Sequence, residues 1–220
     1  MSSLLLDVSS LQKSFGEQKI LHDLQLQLEV GQRMSIQGPS GCGKSTFLRL
    51  LAGLEAPDDG TIFLSGKAAN QKQRILLQPW ERGIQMVFQD LGLWPTRSVL
   101  QHVIDVRKAS GLANPKLEGE KVLQQLGLGN HLSRRPGKLS GGEARRLAFA
   151  RVMALEPKLI LLDEAFSSLD HDNRNQGFDV LEQVLESTGA AVIMVTHDPV
   201  EAERLGGTAY CMMEGKLACA

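Results

Sequence analysis

No apolar run in this 220-residue chain approaches the roughly 18 residues that a membrane-spanning helix needs. The opening MSSLLLDVSS has neither a basic flank nor a long apolar stretch, so the chain reads as neither secreted nor membrane-spanning. Blocks of about five or six like charges are also missing, and the formal net charge is -1, so the electrostatic footprint of a nucleic-acid binder is absent. Cysteine is scarce. Cys42, Cys211 and Cys219 form no metal-ligand spacing and no even-numbered framework, which fits a reducing cytosol and leaves them as small apolar filler. No internal repeat or low-complexity tract occurs. The length suits one well-cored α/β domain with a subdomain inserted, and is too short for two ordinary independent domains.

What is present is ordered by periodicity. The first third alternates apolar and polar residues, with Leu24, Leu26 and Leu28, then Met34 and Ile36, then Ile62 and Leu64, each group bounded by turn residues; these predict short strands. The runs LILL at 159–162 and AVIMV at 191–195 are continuously apolar, as strands covered on both faces should be, so a central parallel sheet is expected. Between about 91 and 157 the β signal fades, and 99–110, 115–126 and 143–154 read as helices separated by glycine and proline. A further helix is expected over 173–186, with Phe178, Leu181 and Leu185 on one face.

Residues 38–45 read GPSGCGKS, the G-x-x-x-x-G-K-[ST] pattern, placed between the strand RMSIQ and the helix KSTFLRLLAGL. Glycines at 38, 41 and 43 let successive backbone N–H groups curl toward a phosphate, and the helix start adds its positive end. Lys44 is expected on the β- and γ-phosphates and Ser45 on Mg²⁺. Cys42 inside the loop is read as packing, with sensitivity to alkylation as a corollary. LILLDE ends a buried strand on Asp163 and Glu164, at the carboxyl end where α/β sheets bind ligands. Asp163 suits Mg²⁺, directly or through water, and Glu164 suits polarising an attacking water. Small-molecule kinases and helicase-like motors share these features.

A second glycine pair discriminates. The order GPSGCGKST, Gln89 in VFQD, LSGGE, LILLDE, SSLD and His197 in VTHD resembles the ATP-binding-cassette ATPases over essentially the whole chain. The resemblance implies an α/β fold: a phosphate-loop NTPase core with a mainly parallel sheet, an N-terminal antiparallel β subdomain, and a helical subdomain inserted at about 91–157. It implies a single such domain over 1–220 with no C-terminal regulatory domain. ATP and Mg²⁺ are the implied cofactors, with ATP held by Gly38, Pro39, Ser40, Gly41, Cys42, Gly43, Lys44, Ser45 and Thr46. Phe15 falls where the family stacks an aromatic on adenine, although a ring in a strand is also a core residue. Ser45, Gln89 and Asp163 are the implied metal residues, and Glu164, His197 and Gln89 the implied catalytic ones.

The family pairs two cassettes head to tail, so Ser140, Gly141, Gly142 and Glu143 would serve the partner's ATP while Asp170 speaks across the dimer interface. Taken alone, Ser140 reads first as a simple N-cap. Two departures stand out: Glu143 replaces the usual glutamine and Ala165 the usual proline. A carboxylate near a γ-phosphate is unfavourable unless it points away, toward Arg146 one turn later for instance. The implied function is the ATP-hydrolysing subunit of a membrane transporter of the binding-protein-dependent importer type, peripheral on the cytoplasmic face. Its implied partners are a second cassette, permease chains and a periplasmic substrate-binding protein, with no nucleic acid. Leu91, Leu93 and Trp94 are candidates for the permease contact, or else core of the helical insertion. An exporter-type subunit and a non-transport cassette ATPase are the alternatives; cargo and direction stay open.

Overall fold

The computed structural model describes residues 3–167 and 169–219. The first strand, β1 (Leu4–Phe15), turns through Gly16 and Glu17 into β2 (Gln18–Glu29), and the two pair antiparallel from Phe15 opposite Gln18 to Leu4 opposite Glu29. Leu24, Leu26 and Leu28 are buried and their neighbours exposed, the period-2 pattern of a half-buried strand. The alternation slips by one residue in both strands. Val8 opposes Leu26 but Leu11 opposes Leu24, and the surplus residue Ser10 takes φ 49. A second bulge on β2 places Asp23 at φ 51, and each bulge returns the leucines beyond it to the covered face.

After β3 (Arg33–Gln37) and α1 (Lys44–Ala52), the strand β4 (Asp59–Leu64) returns to pair antiparallel with β1, and β5 (Lys67–Ala68) pairs with β4. The order β2-β1-β4-β5 is therefore an antiparallel sheet. A two-stranded ribbon, β6 (Asn70–Gln71) and β7 (Arg74–Ile75), follows and leads to β8 (Ile84–Val87).

Four helices come next: α2 (Val99–Ala109), α3 (Pro115–Gln125), α4 (Gly141–Met153) and, after β9 (Leu159–Asp163), α5 (His171–Thr188). The chain then closes with β10 (Ala191–Thr196), α6 (Pro199–Leu205), β11 (Thr208–Met213) and β12 (Lys216–Cys219). The main sheet runs β12-β11-β3-β10-β9-β8. Its β11–β3, β3–β10 and β10–β9 pairs are parallel, and β12 joins β11 antiparallel. All six residues of β10 and the first four of β9 are buried, which is why these strands read as unbroken apolar runs.

Two compact units emerge. One takes in Met1–Met86, Lys158–Glu164 and Gly189–Ala220, and contains both sheets around a core that includes Leu6, Leu28, Ile36, Phe47, Ile62, Leu161 and Ile193. The other, Val87–Pro157 with Ala165–Thr188, is helical. There α4 packs on α5, and Phe149, Phe166 and Phe178 stack in series with centroid separations of 6.2 and 4.4 Å. Phe178, Leu181 and Leu185 are buried, as the spacing predicts for one helical face.

Candidate functional site

In the sheet-containing unit, β3 runs straight into the loop 38–43 and then α1. The loop's shape is dictated by what a side chain would strike. A Cβ at Gly38, where φ is 155, would lie 2.3 Å from the Met212 carbonyl oxygen; one at Gly43, φ 106, would lie 2.8 Å from Leu21 Cδ2. Only glycine fits at these two positions. Gly43 is the N-cap of α1, contributes no side-chain cap, and leaves the first N–H groups of the helix directed outward. A cavity of about 190 Å³ opens there, lined by Ile20, Ser40, Gly41, Gly43, Lys44, Ser45, Thr46 and Glu164. Pro39 and Ser40 are exposed, and Cys42 is half-buried against the core with its Sγ 3.9 Å from Lys44 Nζ.

Lys44 is buried, and its ammonium donates to the carbonyls of Gly38 at 2.8 Å and Pro39 at 2.9 Å. Ser45 Oγ donates to Asp163 Oδ1 at 2.8 Å, which joins the start of α1 to the end of β9. Burial holds the Asp163 carboxyl above the usual range and the neighbouring Glu164 charge adds to this, while the Ser45 hydrogen bond, Arg49 and Lys44 act the other way. Glu164 turns the chain at φ 49, donates its N–H to the Val195 carbonyl at 3.1 Å, and directs Oε1 to 3.8 Å from His197 Nδ1. His197 follows β10 with a side chain 59% exposed. Phe15 sits at the end of β1, 51% exposed with Lys13 Nζ 5.3 Å above its ring, and is not a core residue.

No group of three or more His, Cys, Asp or Glu side chains that could hold a metal ion occurs among the described residues. The Ser45 and Asp163 oxygens are nevertheless the hard donors that Mg²⁺ takes, and Mg²⁺ commonly completes its sphere with phosphate oxygens and water. The residues thus fit a cation that arrives with a nucleotide.

In the helical unit, Ser140 caps α4. Its Oγ accepts from Glu143 N at 3.2 Å, and Glu143 Oε2 accepts from Ser140 N at 2.6 Å, a reciprocal capping box. The helix therefore begins at Gly141 rather than at 143. Glu143 does not reach toward Arg146: its Oε1 lies 3.0 Å from His131 Nε2 and 3.9 Å from Arg134 Nη1. The cap explains the difference, since the bond to Ser140 N turns the carboxylate back along the chain. That bond is also the largest influence holding its carboxyl below the usual range. A cleft of about 460 Å³ opens beside the cap, lined by Leu91, Ser140, Gly141, Gly142, Arg145, Arg146, Leu169, Asn173 and Gln176.

Asp170 precedes α5, with Oδ1 accepting from Asn173 N and Oδ2 from Asn173 Nδ2, both at 2.8 Å; the first of these is the main cause of its lowered pKa. Gln89 lies exposed in the turn after β8, and Ala165 is buried. Leu91 and Leu93 are half-buried. Trp94 is 37% exposed; its ring stacks on His102 at 5.2 Å, with the Arg151 guanidinium 4.6 Å from its centre.

Sequence reasoning gave no hint of three residues that shape these regions. Arg82 is buried at the carboxyl end of α1, and His131 and His102 brace the loops of the helical unit. Each acts on backbone or on a side chain distant in sequence, and no local pattern announces that.

Residues 21–167 match the family described as ABC transporter. The chain is 38% identical to the sulfate/thiosulfate import ATP-binding protein CysA of Gloeobacter violaceus over 98% of its own length and 61% of that protein's. It is 39% identical to the aliphatic sulfonates import ATP-binding protein SsuB 2 of Agrobacterium fabrum, over 96% of this chain and 77% of that one. With the Fe(3+) ions import ATP-binding protein FbpC of the same organism the identity is 38%, over 95% and 58% respectively. The chain thus spans about three fifths of the length of CysA and FbpC.

Proposed function

The chain belongs to the ABC transporter family, and on that premise we propose that it is the ATP-binding, ATP-hydrolysing subunit of a binding-protein-dependent importer. One observation carries the reading: two phosphate-suited helix starts occur in one chain and differ in equipment. The start of α1 has a lysine, a hydroxyl and two carboxylates beside it. The start of α4 has a capped serine, two glycines and a cleft with two arginines, but no lysine or carboxylate in its lining.

A nucleotide is held in the first by the loop N–H groups, with Phe15 stacking on the base. Lys44 exchanges its carbonyl partners for phosphate oxygens. Ser45 and Asp163 are the groups that would hold Mg²⁺, which offsets phosphate charge when bound. Glu164 accepts a proton from the attacking water, and His197 steadies the γ-phosphate from beside it. Ser140, Gly141 and Gly142 meet the same phosphate from a second copy, with Asp170 at the interface, so that closure of two cassettes completes the site and hydrolysis reopens it.

That motion passes to permease chains in the membrane, in keeping with relatives named as import ATP-binding proteins; no described helix is itself long and apolar enough to cross it. Import, rather than export, is favoured by the names of the relatives; their cargoes differ, so none is carried over.

Glu164→Gln tests the scheme. The variant is expected to bind ATP, to accumulate as an ATP-dependent dimer in sedimentation, and to lose about a hundredfold or more in turnover. A monomer hydrolysing at the parental rate would remove Glu164 from the proton-accepting role.

A further inference from the structure

We propose that Glu143 and His131 act as a positioning pair: Glu143 fixes the Ser140–Gly142 turn in the shape that receives a partner copy's nucleotide, and His131 masks the charge this introduces. The inference rests on the composite-site reading above and assigns a purpose to an acid where that family usually has an amide.

The capping box sorts the donors of the turn. The Ser140 N–H is taken by Glu143 Oε2, and Ser140 Oγ is taken as an acceptor by Glu143 N. The Ser140 hydroxyl proton remains to be given, as do the N–H groups of Gly141 and Gly142, which a helix leaves without intrahelical acceptors. All three residues line the 460 Å³ cleft, and Glu143 does not. The carboxylate thus shapes the donors while its own oxygens are turned from the anion they await.

An unmasked carboxylate so close would still repel that anion, and its second oxygen shows how the charge is met. Oε1 lies 3.0 Å from His131 Nε2, with the Arg134 guanidinium farther off at 3.9 Å. The two side chains of the closer pair are 19% and 17% exposed, so their contact is partly sheltered from solvent. Among the described residues His131 Nδ1 is buried with no hydrogen-bond partner, and the ring's directed polar contact there is with Glu143. A buried ring nitrogen left unmatched costs stability, and packing alone gives no reason to seat a histidine there.

The full chain is assayed in four versions besides the parent: Glu143→Ala, Glu143→Gln, His131→Ala, and His131→Ala with Glu143→Gln. Sedimentation with Mg²⁺ and a slowly hydrolysed ATP analogue gives the analogue concentration for half-association. Titration of dilute monomer with a fluorescent ATP analogue gives binding at the phosphate loop.

Glu143→Ala is expected to raise the half-association concentration about tenfold, and Glu143→Gln, which keeps an acceptor for Ser140 N–H, to stay within about threefold of the parent. His131→Ala should cost about tenfold beside Glu143 but less than about threefold beside the glutamine. Monomer binding should move by less than about twofold throughout. Parental association in Glu143→Ala overturns the positioning role, and an equal effect of His131→Ala in both backgrounds overturns the masking. A parent chain that never associates with nucleotide overturns the composite site itself. That outcome is distinct from failure of the pair alone, where the parent associates and the variants match it.

Discussion

Arg82 lies at the end of PWER and, despite its charge, is 5% exposed. Its Nη1 donates to the carbonyls of Leu50 and Leu51 at 2.9 and 2.8 Å and its Nε to that of Leu77 at 3.0 Å. The Leu50 and Leu51 carbonyls belong to the last turn of α1, where Leu50 O also accepts from Gly53 N, so a cation there adds a donor and complements the helix dipole. Burial pushes the guanidinium down to about 10, still charged at neutral pH. Arg82→Ala is expected to cost about 3 kcal/mol, read as a lower urea midpoint, because buried carbonyls lose a charged donor together.

His102 is a second case. Its Nε2 accepts from Trp94 N at 2.9 Å and its Nδ1 lies 2.7 Å from the Ser98 carbonyl, an arrangement that requires the neutral ring with the proton on Nδ1. Burial lowers its pKa, Arg151 and Arg97 add to this, and the Ser98 carbonyl and Asp105 oppose it. As pH falls through about 6.5, the unfolded chain takes up the proton first. Stability is therefore full above that pH and declines below it until the folded-state pKa is passed. Thermal melts of the parent between about pH 7.5 and 5.5 should show a fall that His102→Gln removes; an unchanged slope in the variant would assign the effect elsewhere.

At the scale of elements, the cap of α4 has two separable consequences. Ser140→Ala should lower unfolding stability by about 1 kcal/mol, the usual cost of a lost N-cap. It should also weaken the ATP-bound dimer while monomer nucleotide binding stays intact; a collapse of monomer binding would contradict the assignment to a partner's nucleotide. Helices and strands were largely legible because their periods are strong: LILL and AVIMV are buried throughout, and 99–110 and 115–126 lie within a residue of α2 and α3. What escaped depended on distance. The bulges at Ser10 and Asp23 answer to strand pairing rather than to local propensity, and the partner of Glu143 sits twelve residues upstream on another turn. The residues of the loop at 38–45 could be grouped from spacing alone, since a turn closed by glycines at 38 and 43 brings neighbouring N–H groups together. The Ser45–Asp163 bond spans 118 residues, and only the pairing of sheet strands delivers it.

At the scale of the whole molecule, the proposed site belongs to no single copy. Turnover per chain should then rise with protein concentration until dimers saturate, as measured by phosphate release over a dilution series at fixed ATP. A rate per chain that stays flat down to dilutions where sedimentation finds only monomer would show that one copy suffices.

The loop at 38–43 already occupies its own lysine. Two carbonyls at 2.8 and 2.9 Å hold the Lys44 ammonium, so in the proposed site a phosphate would compete with them for two of its three protons. What Lys44 adds to affinity is a difference between two charge-assisted sets, smaller than either. On the proposed reading, departure of the product would be eased by the same exchange, because the lysine has somewhere to return. In the proposed site the loop would act as a spring catch that resets itself, suited to repeated turnover rather than to storage of a nucleotide.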